Sequence, residues 1–147
     1  MANRAVLVVL ASIFLTGCSP TVDSIESGDV VGHWECESRG EVVIREDGSF
    51  SIEGFPKEVV REIYPESIFA DLDLESRGAT LDGVGNWDIM SGFTDSGKFQ
   101  EFRMNFEGGD LNAIDDVPVW LGEERGGQRF ISFTISEDPV QIKCVRQ

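Results

Sequence analysis

This chain of 147 residues has few of the residue types on which most catalytic and metal centres depend. It contains one histidine, three cysteines and one tyrosine. Basic residues are also scarce, since 12 Lys and Arg stand against 27 Asp and Glu, for a formal net charge of −15. Such an acidic chain is poorly suited to nucleic acid or to electrostatic attachment at anionic lipid. The charge is typical of a solvated surface, and a dedicated site for a cation or a basic partner is the alternative.

The single histidine restricts the kinds of catalysis that the chain can support. A Ser-His-Asp or Cys-His arrangement would have to use His33, which falls on the polar face of a predicted strand beside Trp34. Paired carboxylates could hydrolyse a glycoside, but none of the acidic residues forms a pair at a distinctive position. We therefore predict no enzymatic activity and no cofactor, with a hydrolase as a remote alternative.

Metal ligands are equally sparse. The segment Asp71-x-Asp73-x-Glu75 has some likeness to a calcium loop, but the glycine and the distal glutamate of an EF-hand are misplaced. We interpret it as a solvated, charged insert. His33 is three positions before Cys36 but falls on the opposite face of the predicted strand, and Cys144 has no histidine or cysteine near it, so no metal site is predicted.

The N-terminus has the layout of a secretory signal peptide. Arg4 lies in a short basic region, residues 5–14 form an apolar run interrupted by Ser12, and two small residues precede Cys18. The run is far shorter than the ~20 residues that a membrane-spanning helix needs. The segment therefore predicts export of the chain.

Positions 15–18, Leu-Thr-Gly-Cys, resemble the lipobox of bacterial lipoproteins. The resemblance implies that the Cys18 thiol receives a diacylglycerol and that the chain is cut before Cys18. Two acyl chains on one residue anchor a protein stably. The expected location is extracytoplasmic, on the outer face of the cell membrane or on an outer membrane. The alternative is an ordinary signal peptide with a chance cysteine.

Processing at this site divides the chain into three parts. Residues 1–17 are the cleaved leader, residues 18–29 carry the lipid and a flexible polar tether, and residues 30–147 form the folded domain. The leader holds one basic residue and no acidic one, so residues 18–147 have 27 acidic and 11 basic residues and a net charge of −16. Their length suits a single domain.

Lipidation of Cys18 leaves two cysteines, Cys36 and Cys144, in an oxidising compartment. We expect them to form a disulfide that closes a loop of roughly 100 residues. Two buried free thiols are the alternative.

Alternating apolar and polar residues predict a series of β-strands. Gly32 to Glu37 and Phe102 to Glu107 alternate most clearly, and Asp47-Gly48 is a typical hairpin turn. One stretch differs, because Pro56 to Tyr64 has helical spacing and Pro65 follows it. The pattern predicts an all-β fold, a meandering antiparallel barrel with one short helical insert.

Four motifs occur in a distinctive order: Gly32-x-Trp34, the turn at 46–50, Gly85-x-Trp87 and the segment 136–139. Together they resemble small lipocalin-like lipoproteins of actinobacteria, over roughly residues 30–147. The resemblance implies an up-and-down barrel of about eight strands whose first and last strands lie side by side. It supplies no catalytic residues. The helix lies in mid-chain, whereas that of the larger lipocalins is C-terminal.

Two functions compete at this stage. The abundant aromatic residues favour packing of the barrel interior, and they also suit a cavity for a small apolar ligand, lined by Trp34, Trp87, Phe102 and Phe106. A ligand-binding module is the first hypothesis. The second is a protein-interaction or inhibitor module of the cell envelope, which needs an exposed apolar patch near the helix or near Val117 to Trp120.

Overall fold

The fold is a closed antiparallel barrel of eight strands, in which each strand pairs with the next and the last pairs with the first. The computed structural model describes residues 24–37, 39–64, 73–95, 97–112, 114, 117–133 and 141–147. The all-β barrel predicted from the sequence is confirmed. The strands are β1 (Gly32–Cys36), β2 (Glu41–Ile44), β3 (Ser49–Pro56), β4 (Thr80–Thr94), β5 (Gly97–Gly109), β6 (Val117–Glu123), β7 (Arg129–Phe133) and β8 (Ile142–Arg146).

Successive side chains of each strand point to opposite faces, so every second side chain points into the barrel. In β1, for example, Trp34 and Cys36 are buried while His33 and Glu35 are exposed. Aliphatic and aromatic side chains fill the interior, as expected for a small barrel whose core is made of side chains. The buried aromatic residues of the strands are Trp34, Phe50, Phe55, Phe102, Phe106 and Phe133.

Gly85 occupies a position that no larger residue fits. The register of β4 against β5 shifts between Val84 and Gly85. A Cβ atom at Gly85 would lie 1.8 Å from the carbonyl oxygen of Asn105 on β5. The irregularity therefore depends on glycine, because a side chain here would separate the two longest strands of the barrel.

The barrel closes between β1 and β8, and a disulfide joins these strands. Cys36 and Cys144 are directly opposite each other in the antiparallel pairing, with their Cα atoms 3.8 Å apart. The predicted disulfide is confirmed, and so is the adjacency of the first and last strands. The covalent bond lies at the end of the barrel where β1 finishes and β8 begins, which we call the disulfide end.

The opposite end of the barrel, where β1 begins, is covered by a short helix. The helix α1 (Ser27–Val30) buries Val30. The indole Nε1–H of Trp34 donates a hydrogen bond to the Val30 carbonyl, at 2.9 Å. The packed domain therefore includes residues that the sequence analysis assigned to the tether at 18–29. We call this the tether end.

A second helix packs at the disulfide end. The helix α2 (Lys57–Ile63) follows Pro56 and buries Val60 and Ile63, in agreement with the helix predicted over Pro56 to Tyr64. A 3-10 turn at Leu74–Ser76 adds the buried Leu74. The motif at 136–139 lies outside the described residues.

The β4–β5 hairpin extends past the rim of the barrel at the tether end. The last β4 residue that pairs with β3 is Asn86, and the first β5 residue that pairs with β6 is Phe102. Beyond these points the two strands pair with each other as far as Thr94 and Gly97. The part beyond both neighbouring ladders is residues 90–94 of β4 with residues 97–101 of β5, and five residues correspond to about 16 Å at ~3.3 Å per residue.

Removing the disulfide should destabilise the barrel without changing its topology. For a loop with a sequence separation of 108, chain-entropy models give up to about 5 kcal/mol. We expect the double variant Cys36→Ser, Cys144→Ser to have a lower urea midpoint than the unmodified chain. Thiol labelling of the denatured, unreduced protein is the control and should leave both cysteines unlabelled. Full labelling, or an unchanged midpoint, would contradict the disulfide's role.

Candidate functional site

The four residues proposed to line a ligand cavity lie close to one another but are largely packed. Trp34 and Phe102 are completely buried, and Phe106 nearly so. The half-buried Trp87 meets Phe102 edge to face, with ring centroids 5.9 Å apart, and its Nε1–H donates to the Arg45 carbonyl at 2.9 Å. These contacts show that the aromatic rings pack in the core.

Side chains thus fill the interior around these rings, and α1 and α2 cover the two ends. Trp34, Trp87 and Phe106 line neither of two depressions that the described residues form at the surface of the protein. Phe102 contributes to one. A role for the four aromatic residues in ligand binding stays a prediction.

The first depression lies on the outer surface at the disulfide end, with a cavity volume of about 730 Å³. It is open and largely acidic, and Gly40 and Gly54 form part of its lining. Some of its carboxylates already have protein partners: Asp82 accepts a hydrogen bond from the Gly54 N–H at 2.8 Å, and Glu35 accepts one from Gln147 at 2.8 Å. Among the described residues, no group of three or more His, Cys, Asp or Glu side chains is placed to hold a metal ion.

The second depression is a groove between β5 and β6, with a cavity volume of about 280 Å³. The two strands pair only from Phe102 opposite Val119 to Met104 opposite Val117. Yet β5 begins at Gly97 and β6 continues to Glu123. The strands therefore separate at the tether end and leave a gap in the barrel wall, which we call the β5–β6 groove.

Large apolar side chains border the β5–β6 groove. In β6, Val119 and Leu121 are buried while Trp120 points outward and is 56% exposed. Phe99 is 36% exposed, and its ring covers Gly92, where a Cβ atom would lie 2.5 Å from the ring. Glycine at this position thus allows the ring of Phe99 to lie flat across the hairpin.

Polar groups are also present in the groove. The Ile25 N–H donates to the side-chain oxygen of Gln100 at 2.8 Å, so the segment before α1 reaches the groove. The amide nitrogen of Gln100 donates to Ser91 on the opposite strand at 3.3 Å. Glu101 forms an ion pair with Arg103 at 3.0 Å. The groove therefore combines an apolar border with backbone and amide hydrogen-bonding groups.

The other residues considered from the sequence lie apart from this groove. His33 is on the outer face of β1, with Nε2 2.9 Å from Glu41 Oε2, and both side chains are about half exposed. Glu75 forms an ion pair with Arg61. Asp71 lies outside the described residues. The structure does not bring these side chains together into one site.

The groove itself was not foreseen. The sequence analysis named the segment Val117 to Trp120 as one place for an exposed patch, but it did not connect this segment with Phe99 or Gln100. One signal was available in the sequence. The uncharged stretch around Gly92 is long, which indicates a strand longer than its neighbours. Separation of β5 from β6 depends on pairing between distant segments and has no local signature.

Comparison with known proteins identifies no relative for this chain. No protein-family model matches it, and neither a curated protein nor a solved structure gives a significant match. The barrel is therefore established from its own strand pairing, and the resemblance to lipocalin-like lipoproteins stays a prediction.

The described helices are too short or too polar to cross a bilayer.

The tether end also contains the ion pair that fastens α1 to the barrel. The Asp29 carboxylate accepts a hydrogen bond from the guanidinium of Arg129 on β7, and another from the Glu26 N–H at 2.8 Å. The hydrogen bond from Arg129, and next that from Glu26, hold the pKa of Asp29 below its usual value. Asp29 thus links the beginning of the domain to the strand that follows the groove.

This pKa predicts an acid-sensitive contribution to stability. A carboxyl group with a lowered pKa in the folded state stabilises the fold above its unfolded pKa of about 3.9, and this contribution is lost as the pH falls through the folded value. Asp29→Asn should therefore lower the urea midpoint at pH 6 more than at pH 2.5. Asp88→Asn, an exposed change on β4, is the control and should leave the midpoint nearly unchanged at both pH values. An equal effect of Asp29→Asn at both pH values would contradict the assignment.

Proposed function

We propose that this protein is a lipid-anchored, extracytoplasmic binding module of the bacterial cell envelope. In this proposal it does not catalyse a reaction. It binds an extended segment of another envelope protein in the β5–β6 groove. The observation that carries the proposal is the separation of β5 from β6 beside the exposed side chains of Phe99 and Trp120.

The strand edges in the groove favour an extended peptide as the ligand. In the described part of the chain, residues 97–101 of β5 have no partner on the side toward β6, and residues 120–123 of β6 have none on the side toward β5. Unpaired edges are sites where a peptide adds as a further strand, with main-chain hydrogen bonds supplying affinity.

The aromatic side chains favour selectivity in the same place. A bound strand presents alternate side chains to the surface beneath it, so every second residue of the peptide could rest against Trp120 or Phe99. Tryptophan is enriched among the residues that dominate protein–protein binding energies. An apolar segment is therefore the partner that these side chains suit best.

The competing hypothesis of an interior apolar ligand has less structural support. Trp34 and Phe102 have no exposed surface, and α1 and α2 cover the barrel ends. A ligand would have to displace packed side chains, which costs the contacts that they make. The groove offers apolar surface without such a rearrangement, because Phe99 and Trp120 at its border are already exposed.

The anchor is supported by the sequence at positions 15–18. Changing Cys18→Ala should move the protein from the membrane fraction to the soluble fraction, because the thiol that carries the lipid is lost. Ser19→Ala is a matched control beside it and should stay in the membrane fraction. Fractionation followed by immunodetection measures both variants. Retention of the Cys18→Ala variant in the membrane would rule out the lipid anchor.

Binding in the groove can be tested by site-specific photo-cross-linking in intact cells. A benzoylphenylalanine placed at position 120 should cross-link to one protein, through a segment that mass spectrometry maps. The same group at position 84 is the control, because Val84 is 49% exposed on the barrel wall, away from the groove. We expect the adduct at 120 to exceed that at 84 by at least fivefold.

A second substitution distinguishes groove binding from chance proximity. Phe99→Ala should lower the cross-link from position 120 several-fold, since Phe99 borders the same groove. Val84→Ala should not change it. Equal yields at positions 120 and 84, or a yield at 120 that is insensitive to Phe99→Ala, would contradict the proposal.

A further inference from the structure

The projecting end of the β4–β5 hairpin carries an apolar side chain that the barrel does not use. Phe93 is 85% exposed, more than any other large apolar side chain in the described part of the chain. It pairs with Lys98 one step before the end of the ladder at Thr94 and Gly97. Phe93 is therefore held at the far end of a two-stranded ribbon, away from the core.

The hairpin end differs from the rest of the protein in charge. Residues 89–100 contain one acidic residue, Asp95, and one basic residue, Lys98, so their net charge is zero. Residues 18–147 as a whole have a net charge of −16. Proximity to a bilayer is costly for an acidic surface, because burying charge and facing anionic lipid are both unfavourable. The hairpin end avoids both costs.

The position of the tether brings this end close to the proposed anchor. The Ile25 N–H is bonded to Gln100, which is three residues from Gly97 at the hairpin turn, or about 10 Å along the strand. Ile25 is seven positions after Cys18, and a fully extended chain over seven positions spans at most about 25 Å. The anchor therefore holds the hairpin end within reach of the bilayer.

We propose that the end of the β4–β5 hairpin docks on the bilayer that holds the Cys18 lipid, with the Phe93 side chain entering the boundary between headgroups and acyl chains. This inference rests on the lipid anchor of the proposed function. The lipid anchor keeps the protein at the membrane, so the contact of Phe93 with the bilayer is an intramolecular event with a high effective concentration. One aromatic ring is then sufficient to bias the orientation of the protein on the membrane.

The neighbouring residues limit the depth of this contact. Asp95 lies in the turn, and charged groups stay at the level of the headgroups and water. Phe93 is thus placed to reach the boundary while the turn remains hydrated. Docking in this way would hold the hairpin against the membrane and keep the β5–β6 groove beside the bilayer surface, where segments of other anchored proteins are concentrated.

The test uses the full, lipidated chain, purified from membranes and reconstituted into phosphatidylcholine vesicles, so that no other protein is present. Benzoylphenylalanine replaces Phe93, a change that keeps an aromatic ring at an exposed site. Flotation first establishes that the protein is on the vesicles. After illumination, mass spectrometry measures phospholipid adducts. The control carries the same group at position 84, on the barrel wall.

Docking predicts at least fivefold more phospholipid adduct from position 93 than from position 84. Vesicles that float with the protein but give equal or negligible adducts at both positions would overturn the docking and leave the anchor intact. Protein that does not float would overturn the anchor and the docking together. Lipid adducts at 93 support the docking whether or not position 120 cross-links to a protein in cells, so the two proposals fail separately.

Discussion

The pairing of β1 with β8 is the interaction on which the rest of the structure depends. Every other strand pairs with its neighbour in sequence, so only this contact converts an open meander into a barrel. The Cys36–Cys144 disulfide joins the two strands at this point. Closure also encloses an interior made almost entirely of apolar side chains.

The two ends of the closed barrel are covered in different ways. At the disulfide end, α2 and the turn near Leu74 cover the core with buried aliphatic side chains. At the tether end, α1 is held by Val30, by the hydrogen bond from Trp34 and by the ion pair of Asp29 with Arg129. The segment that leads to the proposed anchor is therefore part of the packing, and its position relative to the groove is determined by the core.

The groove and the projecting hairpin have a common origin in strand length. β4 and β5 have 15 and 13 residues, whereas the strands beside them have 8 and 7. Because β3 and β6 are shorter, the β4–β5 hairpin extends beyond both of them. It therefore has unpaired strand edges on one side and a free end beyond the rim of the barrel. The two proposals follow from this difference, since one concerns the edge and the other the end.

The sequence by itself determined the barrel, the mid-chain helix and the pairing of the cysteines, because alternation, helical spacing and a count of three cysteines are properties of short segments or of composition. It also carries the lipobox-like segment at 15–18 on which the proposed anchor rests. The tertiary structure alone decided that Trp34 and Phe102 pack as core, that residues 27–29 belong to the domain, and that Phe99, Gln100 and Trp120 share one groove. These outcomes depend on where the pairing between strands that are distant in sequence comes to an end. No pattern within a short segment predicts that position.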